Sequence, residues 1–397
     1  MTADQDAAKI LENPDLRAVL AALPEARLVG GAVRDILAGR PVADIDLAIP
    51  HKPEEVIAAL FKAGIKSVPT GLAHGTITAV VKKRGFEITT LRRDIATDGR
   101  HATVAFTDDW REDAARRDFT INAMSMNAAG KLFDYFSGRE DLQAGRIRFV
   151  GDPAARIAED YLRILRFFRF HARYGKGAPD PAALAAIAAG ISGIARLSAE
   201  RIWHELSSIL TAPDPRGAIA LMNERGVLAA IIPEGTDPAR LARLIEAGAP
   251  AEKLLRLAAL LTGDAESFSA RLRLSTIDRE NLLALRTAPT PTPDADDTTL
   301  RRLLADTPGE ILIGRSWLEG APTPEWAALR ARLAALPRPV FPLEGRDALT
   351  LGIPPGPRVG ALLRDVRAWW LADGCTAEAD ACRAELSRRA DASSADG

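Results

Sequence analysis

The sequence predicts an α+β head followed by an all-helical remainder. Up to about residue 135, short β-compatible runs alternate with helical stretches. From Leu142 onward strand signals nearly vanish, and Ala, Leu and Arg at helical spacing dominate through Leu386. The chain has 397 residues, more than one ordinary domain holds, and 47% of them are apolar, enough for sizeable cores. A shift in composition of this kind marks a boundary between a mixed head and helical domains.

Taken in order, Arg27-Leu28-Val29 reads as a short strand, and Gly30-Gly31 sits where that strand ends and a helix starting near Val33 can begin. There the backbone can approach a phosphate closely and direct free amides at it. Residues 42–49 read as a second strand. Because side chains alternate with period two, Asp44 and Asp46 project to the same side. Two carboxylates on one face repel each other, and a divalent cation relieves that repulsion. Mg²⁺ in particular prefers oxygen ligands completed by the phosphates of a nucleotide. A helix follows at 54–63, with strands at 75–82, 86–91 and 131–135. The strand 86–91 places Glu87, a candidate third carboxylate, in the same head.

In Arg116-Arg117-Asp118-Phe119-Thr120-Ile121-Asn122-Ala123-Met124, the apolar residues can anchor the segment while Arg117 reaches outward. With Arg34 it can hold phosphate oxygens bidentately. Asn122 among apolar neighbours reads as structural or ribose-contacting. Residues 156–170 read as one helix, with Ile157, Tyr161, Ile164, Leu165 and Phe168 on an apolar arc and Asp160, Arg163 and Arg166 beside it. Arg169 lies further round. Steps of three set Asp160 against Arg163, which admits two readings. One is an exposed helix with a salt bridge. The other is a base reader, in which Asp160 accepts from the exocyclic amine of cytosine or adenine and Arg163 donates to the ring nitrogen. Guanine and uracil present the opposite polarity and leave buried groups unpaired.

Residues 175–181 form a turn cluster, residues 287–297 a Pro/Asp-rich loop between two helical subdomains, and residues 390–397 a tail expected to be frayed. A formal charge of −1 argues against a protein that coats nucleic acid nonspecifically, so any contact with it must come from a local patch. Cys375 and Cys382 are too few for a disulfide framework or a four-thiolate zinc site. The acidic start and the lack of a long apolar run point to a cytoplasmic protein with no membrane contact and no obligate protein partner.

Together these segments resemble the class II tRNA nucleotidyltransferase and poly(A) polymerase family. The matching pieces are Gly30-Gly31-x-Val33-Arg34-Asp35 with Asp44-x-Asp46, Asp98-Gly99-Arg100-His101, the 116–123 segment, Glu159-Asp160-x-x-Arg163-x-x-Arg166-x-x-Arg169, and residues 200–206. The resemblance implies a polymerase-beta-like nucleotidyltransferase head at 1–140 and a helical neck with the nucleotide-selecting helix at 141–215. It further implies a helical body at 216–290 and a helical, RNA-binding tail at 298–397. By the same resemblance Asp44 and Asp46 hold two catalytic Mg²⁺ ions and Glu87 is the third acidic position. Gly30, Gly31, Arg34 and Arg117 contact the nucleotide, Asp160 and Arg163 select its base, and Arg166 and Arg169 help place it. Glu200-Arg201 would buttress that helix, and the loop around Asp98-Gly99-Arg100 would move when selectivity switches from CTP to ATP. The segment Thr70-Gly71-Leu72-Ala73-His74-Gly75-Thr76-Ile77-Thr78 resembles the CCA-adding members, whose acceptor is the end of tRNA. Poly(A) polymerases tend to carry a Gly-basic-basic-Phe segment nearby, and Lys82-Lys83-Arg84-Gly85-Phe86 has a different order. Poly(A) synthesis and partial CCA addition remain the alternatives. In the tail, Gly352-Ile353-Pro354-Pro355-Gly356-Pro357 reads as a structural turn or a phosphate seat at a helix start.

Overall fold

The computed structural model describes residues 10–98 and 101–395. The chain divides into two compact units, Met1–Pro233 and Glu234–Gly397. The first contains all the strands found among the described residues.

The first unit begins with α1 (Pro14–Ala22), capped by the Asn13 side chain, and β1 (Arg27–Val29). It continues through α2 (Gly31–Leu37), β2 (Asp46–Ile49), α3 (Pro53–Lys62), β3 (Lys66–Gly71), β4 (Thr76–Val81) and β5 (Arg84–Thr90). Next come β6 (Arg92–Asp98), β7 (His101–Phe106), α4 (Trp110–Ala115), β8 (Ser125–Asn127) and β9 (Leu132–Phe133). Seven strands form one mixed sheet in the order β3-β4-β5-β2-β1-β8-β9, with β2 and β5 parallel and the other neighbours antiparallel. β6 and β7 pair separately as a ribbon. Leu47, Ile49, Ile77, Ala79, Phe86 and Ile88 are buried on one side, where Val56 and Leu60 of α3 are buried too. α3 packs on β3 and β4.

Sequence reasoning missed four strands, β3, β6, β7 and β8, and at β3 and β8 the reason is physical. β3 reads Lys-Ser-Val-Pro-Thr-Gly, is largely exposed and has an irregular register between Val68 and Gly71. It is an edge strand, where proline and polar residues are tolerated and the alternation that betrays a strand is lost. β8 is three residues of Ser-Met-Asn held by neighbours on both sides. The second predicted strand also begins later than expected. Asp44 precedes β2 as a non-strand residue, yet Asp44 and Asp46 are both exposed around buried Ile45, so the predicted alternation is kept.

The helical part of this unit comprises α5 (Gly138–Ala144), α6 (Pro153–Glu159), α7 (Leu162–Tyr174), α8 (Pro181–Gly190), α9 (Ala199–Leu210), α10 (Arg216–Glu224) and α11 (Val227–Ile231). The single helix expected over 156–170 is therefore two. Asp160, extended at φ −157° and ψ 108°, separates α6 from α7, and its Oδ1 accepts from Leu162 N at 3.1 Å. A short carboxylate that bonds nearby backbone amides competes with the helix at that point. An aromatic cluster joins α7 to the 116–124 segment, with the rings of Phe119 and Phe149 4.7 Å apart and those of Phe119 and Phe170 5.3 Å apart.

The second unit holds ten helices among its described residues: α12 (Pro238–Glu246), α13 (Lys253–Leu260), α14 (Ala265–Arg271), α15 (Thr276–Thr287), α16 (Asp297–Asp306), α17 (Gly309–Glu319), α18 (Pro324–Ala335), α19 (Gly345–Thr350), α20 (Pro357–Ala372) and α21 (Ala379–Ala395). The loop expected after Thr287 lies between α15 and α16. The frayed end expected from Ala390 is instead helix through Ala395. Its anchors are buried Cys382 and Leu386, together with Glu385, whose carboxylate pairs with Arg388 and Arg389 at 2.6 Å. Asp396 and Gly397 lie outside the described residues.

Candidate active site

Gly30 caps α2 with φ +63°, a conformation that favours glycine, and a Cβ there would stand 2.9 Å from Arg117 Nη1. The pair of glycines thus lets the Arg117 guanidinium lie against the turn. Beside it, Asp46 opens β2 in register with Glu87 of β5. Burial raises the Asp46 carboxyl above the ordinary range, and the charges of Glu87 and then Asp44 push it the same way. The three predicted carboxylates therefore act on one another, with Asp46 at the centre.

A cavity of about 550 Å³ lies in front of them. It is lined by Gly30, Gly31, Arg34, Asp46, Arg117, Asp160, Arg163, Arg166 and Arg169, nine of the eleven predicted site residues. Asp44 and Glu87 stand outside its lining, coupled to it through Asp46. Asp118, Asn122, Leu162, Phe170 and Arg201 complete the wall. Six guanidinium groups (Arg34, Arg117, Arg163, Arg166, Arg169, Arg201) face three carboxylates (Asp46, Asp118, Asp160), an excess of three positive charges. Such a cavity suits a polyanion of nucleotide size.

Each arginine is held. Arg34 grips Asp35 with two bonds of 3.0 Å and donates to Asn122 Oδ1 at 2.7 Å. Tyr174 of α7 donates to the same Asp35. Asp118 accepts from Arg166 Nε at 2.7 Å, Asn122 Nδ2 at 3.0 Å and its neighbour Phe119 N at 2.9 Å. Burial alone would raise the Asp118 carboxyl, but Arg166 and these hydrogen bonds hold it below the ordinary range. Behind α7, Glu205 of α9 is 2% exposed and pairs with Arg169 at 3.2 Å. Burial nevertheless lowers the affinity of Arg169 for its proton.

The expected Asp160–Arg163 salt bridge is replaced by other partners. Asp160 Oδ2 takes Arg201 Nη2 at 2.6 Å, while Arg163 donates to Glu159 and, at 2.8 Å, to Arg156 O. Both side chains keep hydrogen-bonding capacity, since a carboxylate has about four lone-pair sites and a guanidinium five N–H groups. They are fixed in the cavity wall rather than to each other.

The donors around Asp46 are all carboxylate oxygens, the chemistry a hard divalent cation takes, and Asp46 carries like-charge strain that a cation would relieve. Among the described residues no three carboxylate, imidazole or thiolate groups converge closely enough to hold an ion unaided.

Residues 26–148 match the Poly A polymerase head domain, and residues 178–237 match the probable RNA and SrmB-binding site of polymerase A. The mitochondrial CCA tRNA nucleotidyltransferase 1 of Mus musculus is 36% identical over 377 residues, spanning 90% of this chain and 85% of that protein. The chain belongs to the CCA tRNA nucleotidyltransferase family. The CCA-adding enzyme of Geobacillus stearothermophilus is 33% identical over 358 residues, covering 84% of this chain and 86% of that one. The crystal structure of the Bacillus stearothermophilus CCA-adding enzyme in complex with CTP superposes with a TM-score of 0.76 at 28% identity, covering 97% of this chain and all of that one.

In this CCA tRNA nucleotidyltransferase family member, sequence reasoning missed Asp118 and Phe170 as cavity residues. Asp118 follows Arg116-Arg117 at what reads as a solvated helix start capped by an acid, so its local sequence does not mark it as a cavity residue. Phe170 falls outside the apolar arc of Ile157, Tyr161, Ile164, Leu165 and Phe168, and spacing gives no sign that the guanidinium groups of Arg34, Arg166 and Arg169 lie 4.8–5.3 Å from its ring. Gly99 and Arg100 of the expected mobile loop lie outside the described residues.

Proposed function

We propose that this protein adds CCA to the 3′ end of tRNA without a nucleic-acid template, using CTP twice and ATP once and releasing pyrophosphate each time. The observation that carries this reading is the single cavity in which Asp46 meets Asp160 and Arg163, more than a hundred residues downstream. A nucleotide bound in this cavity would face both the reaction centre and the base-selecting pair.

In this reading Arg34, Arg117, Arg166 and Arg169 bind the triphosphate, and the open turn at Gly30-Gly31 lets it approach the backbone. Asp160 accepts from the exocyclic amine of cytosine or adenine, Arg163 donates to the ring nitrogen, and Arg201 holds Asp160 in place. Asp44 and Asp46, with Glu87 beside them, are the residues that would hold two Mg²⁺ ions. When bound, these supply activation of the attacking 3′-hydroxyl and stabilisation of charge on the leaving pyrophosphate. The division into head (1–140), neck (141–215), body (216–290) and RNA-binding tail (298–397) belongs to the same proposal.

The test is incubation with radiolabelled CTP or ATP and a tRNA ending at its discriminator base. Two C residues followed by one A are expected. Addition of A alone, of C alone or of a long A tract replaces this reading by a narrower tRNA nucleotidyltransferase or a poly(A) polymerase. Asp44→Ala is expected to abolish incorporation while the melting curve is retained, and near-normal turnover in that variant removes the carboxylates from the chemistry.

A further inference from the structure

The sheet that carries Asp46 has a second half that the nucleotide cavity leaves unused. Directly paired residues share a face, so Asp46, Glu87, Thr78 and Val68 form one row across β2, β5, β4 and β3. On the β1–β2 side this face is roofed, because Ala48 and Val29 pack with Leu91 and Trp110. On the β5-β4-β3 side it is open. Glu87 is exposed, Val68 is 37% exposed, and Thr76, Thr78 and Thr89 are part-exposed. Its hydroxyls are linked in pairs, Thr70 to Thr78 at 2.9 Å and Thr76 to Thr89 at 3.1 Å. On β4 and β5 the opposite face is buried through Ile77, Ala79, Phe86 and Ile88.

One end of this open face is basic. Gly85, Val80 and Lys66 make the next row of the same face, and the β4–β5 hairpin closes beside it through Lys82 and Lys83. Val81 pairs with Arg84, which leaves these two lysines as a two-residue loop with φ +46° and +72°. Loops of that kind favour Asn-Gly, and lysine in both positions is strained. Strain kept where a better sequence exists motivates a functional reading of the side chains. Lys82 meets Asp15 of α1 at 3.4 Å, whereas Lys66 and Lys83 have no ion pair among the described residues. From strand spacing and rise, Lys66 stands about 12 Å from Glu87.

We infer that this face is the track on which the acceptor strand of the RNA lies, its phosphates held by Lys66 and Lys83 and its 3′ end directed past Thr70 and Thr78 to the Asp46–Glu87 row. The occupant follows from charge complementarity and from continuity with the carboxylates. A polyanion whose terminal hydroxyl must reach Asp46 is excluded from the roofed side and is drawn by cations on the open side. The chain's formal charge of −1 makes such a local patch the means by which the head holds RNA. The inference rests on the proposed function and names the part of the head that binds its acceptor.

The test uses two variants of the full chain, Lys82→Asn with Lys83→Gly, and Lys66→Gln. The hairpin variant installs the residues its backbone favours, so its Tm is expected to rise by about 1–3 °C while tRNA binding weakens. For each variant the KM for tRNA is expected to rise about three- to tenfold at 150 mM salt, with the KM for CTP and kcat unchanged. The slope of log affinity against log salt should fall by about one for each phosphate contact removed. A KM for tRNA within twofold of wild type in both variants overturns the inference. So does a shift confined to the KM for CTP, or to the sedimentation coefficient, which would assign the tip to the nucleotide or to a second copy of the chain. If the hairpin variant melts lower, Lys66→Gln, which touches no turn, decides alone. Should the wild type add nothing to tRNA, the proposed function fails; direct tRNA binding by wild type and variants, measured by filter retention, still decides the track.

Discussion

At the scale of single residues, Asp46 shows how the site is built against its own stability. Its carboxyl is raised by burial and by Glu87 and Asp44, so the folded state holds that proton more tightly than the unfolded chain does. As pH rises from the unfolded value through the higher folded value, this contribution to stability is lost, and above both values the penalty is constant. Asp46→Asn, which removes the repulsion, is therefore expected to raise Tm at neutral pH in the absence of divalent cations by about a degree or two. The same variant should lose about a thousandfold or more in incorporation. Comparing scanning calorimetry at pH 4 and pH 7 with the labelling assay checks both; an equal Tm difference at the two pH values would discard the like-charge explanation. Gly30 makes a complementary case, since Gly30→Ala must strain a positive φ and displace Arg117. A loss of about 1 kcal/mol in stability and a rise of about tenfold in the KM for CTP are expected, read by denaturant melts and steady-state kinetics.

At the scale of elements, the informative event is the break between α6 and α7. Helical periodicity made residues 156–170 one helix and matched Asp160 with Arg163, because spacing reports which positions share a face and says nothing of a residue that leaves the helix. The break turns Asp160 toward Arg201 of α9, a partner 41 positions away that no local pattern reveals. By contrast the Gly30-Gly31 turn, the Asp44/Asp46 alternation and the arginines of α7 were legible, since each depends on backbone geometry within a few residues. The division of labour at Asp160 is testable. Asp160→Asn keeps an oxygen for Leu162 N but turns an amide donor toward Arg201, which can only donate, so the protein should stay folded with a loss of about 1–2 kcal/mol. It also introduces a donor where the carboxylate could only accept. Incorporation of UMP or GMP relative to CMP should rise by about ten- to a hundredfold, measured as ratios of kcat/KM. An unchanged ratio in a protein that melts normally would withdraw the base-reading role.

At the scale of the whole molecule, the near-neutral chain conceals two separated functions. Six of its arginines against three carboxylates are gathered into a cavity whose lining runs from Gly30 to Arg201, entirely within the unit Met1–Pro233. That concentration was invisible to composition, which averages six arginines of the cavity against carboxylates elsewhere. The boundary between the units was equally hidden, because helix follows helix on either side of Pro233 and no composition shift accompanies it. The aromatic cluster of Phe119, Phe149, Phe167 and Phe170 gives the first unit a core that ties the head sheet to α7. Burial of four such rings, each removing about 150–250 Å² from water, is a large driving force that needs nothing from residues beyond 233. Residues 1–233 alone are accordingly expected to melt in one cooperative transition and to bind CTP within about threefold of the full chain, because every residue facing the cavity is retained. The same fragment should lose about tenfold or more in tRNA affinity, since the proposed RNA-binding tail is gone and fewer phosphates are neutralised. Isothermal titration with CTP and filter binding with tRNA separate the two effects. A folded fragment that failed to bind CTP would show that the cavity depends on the second unit, and a fragment that bound tRNA undiminished would remove the tail from RNA recognition.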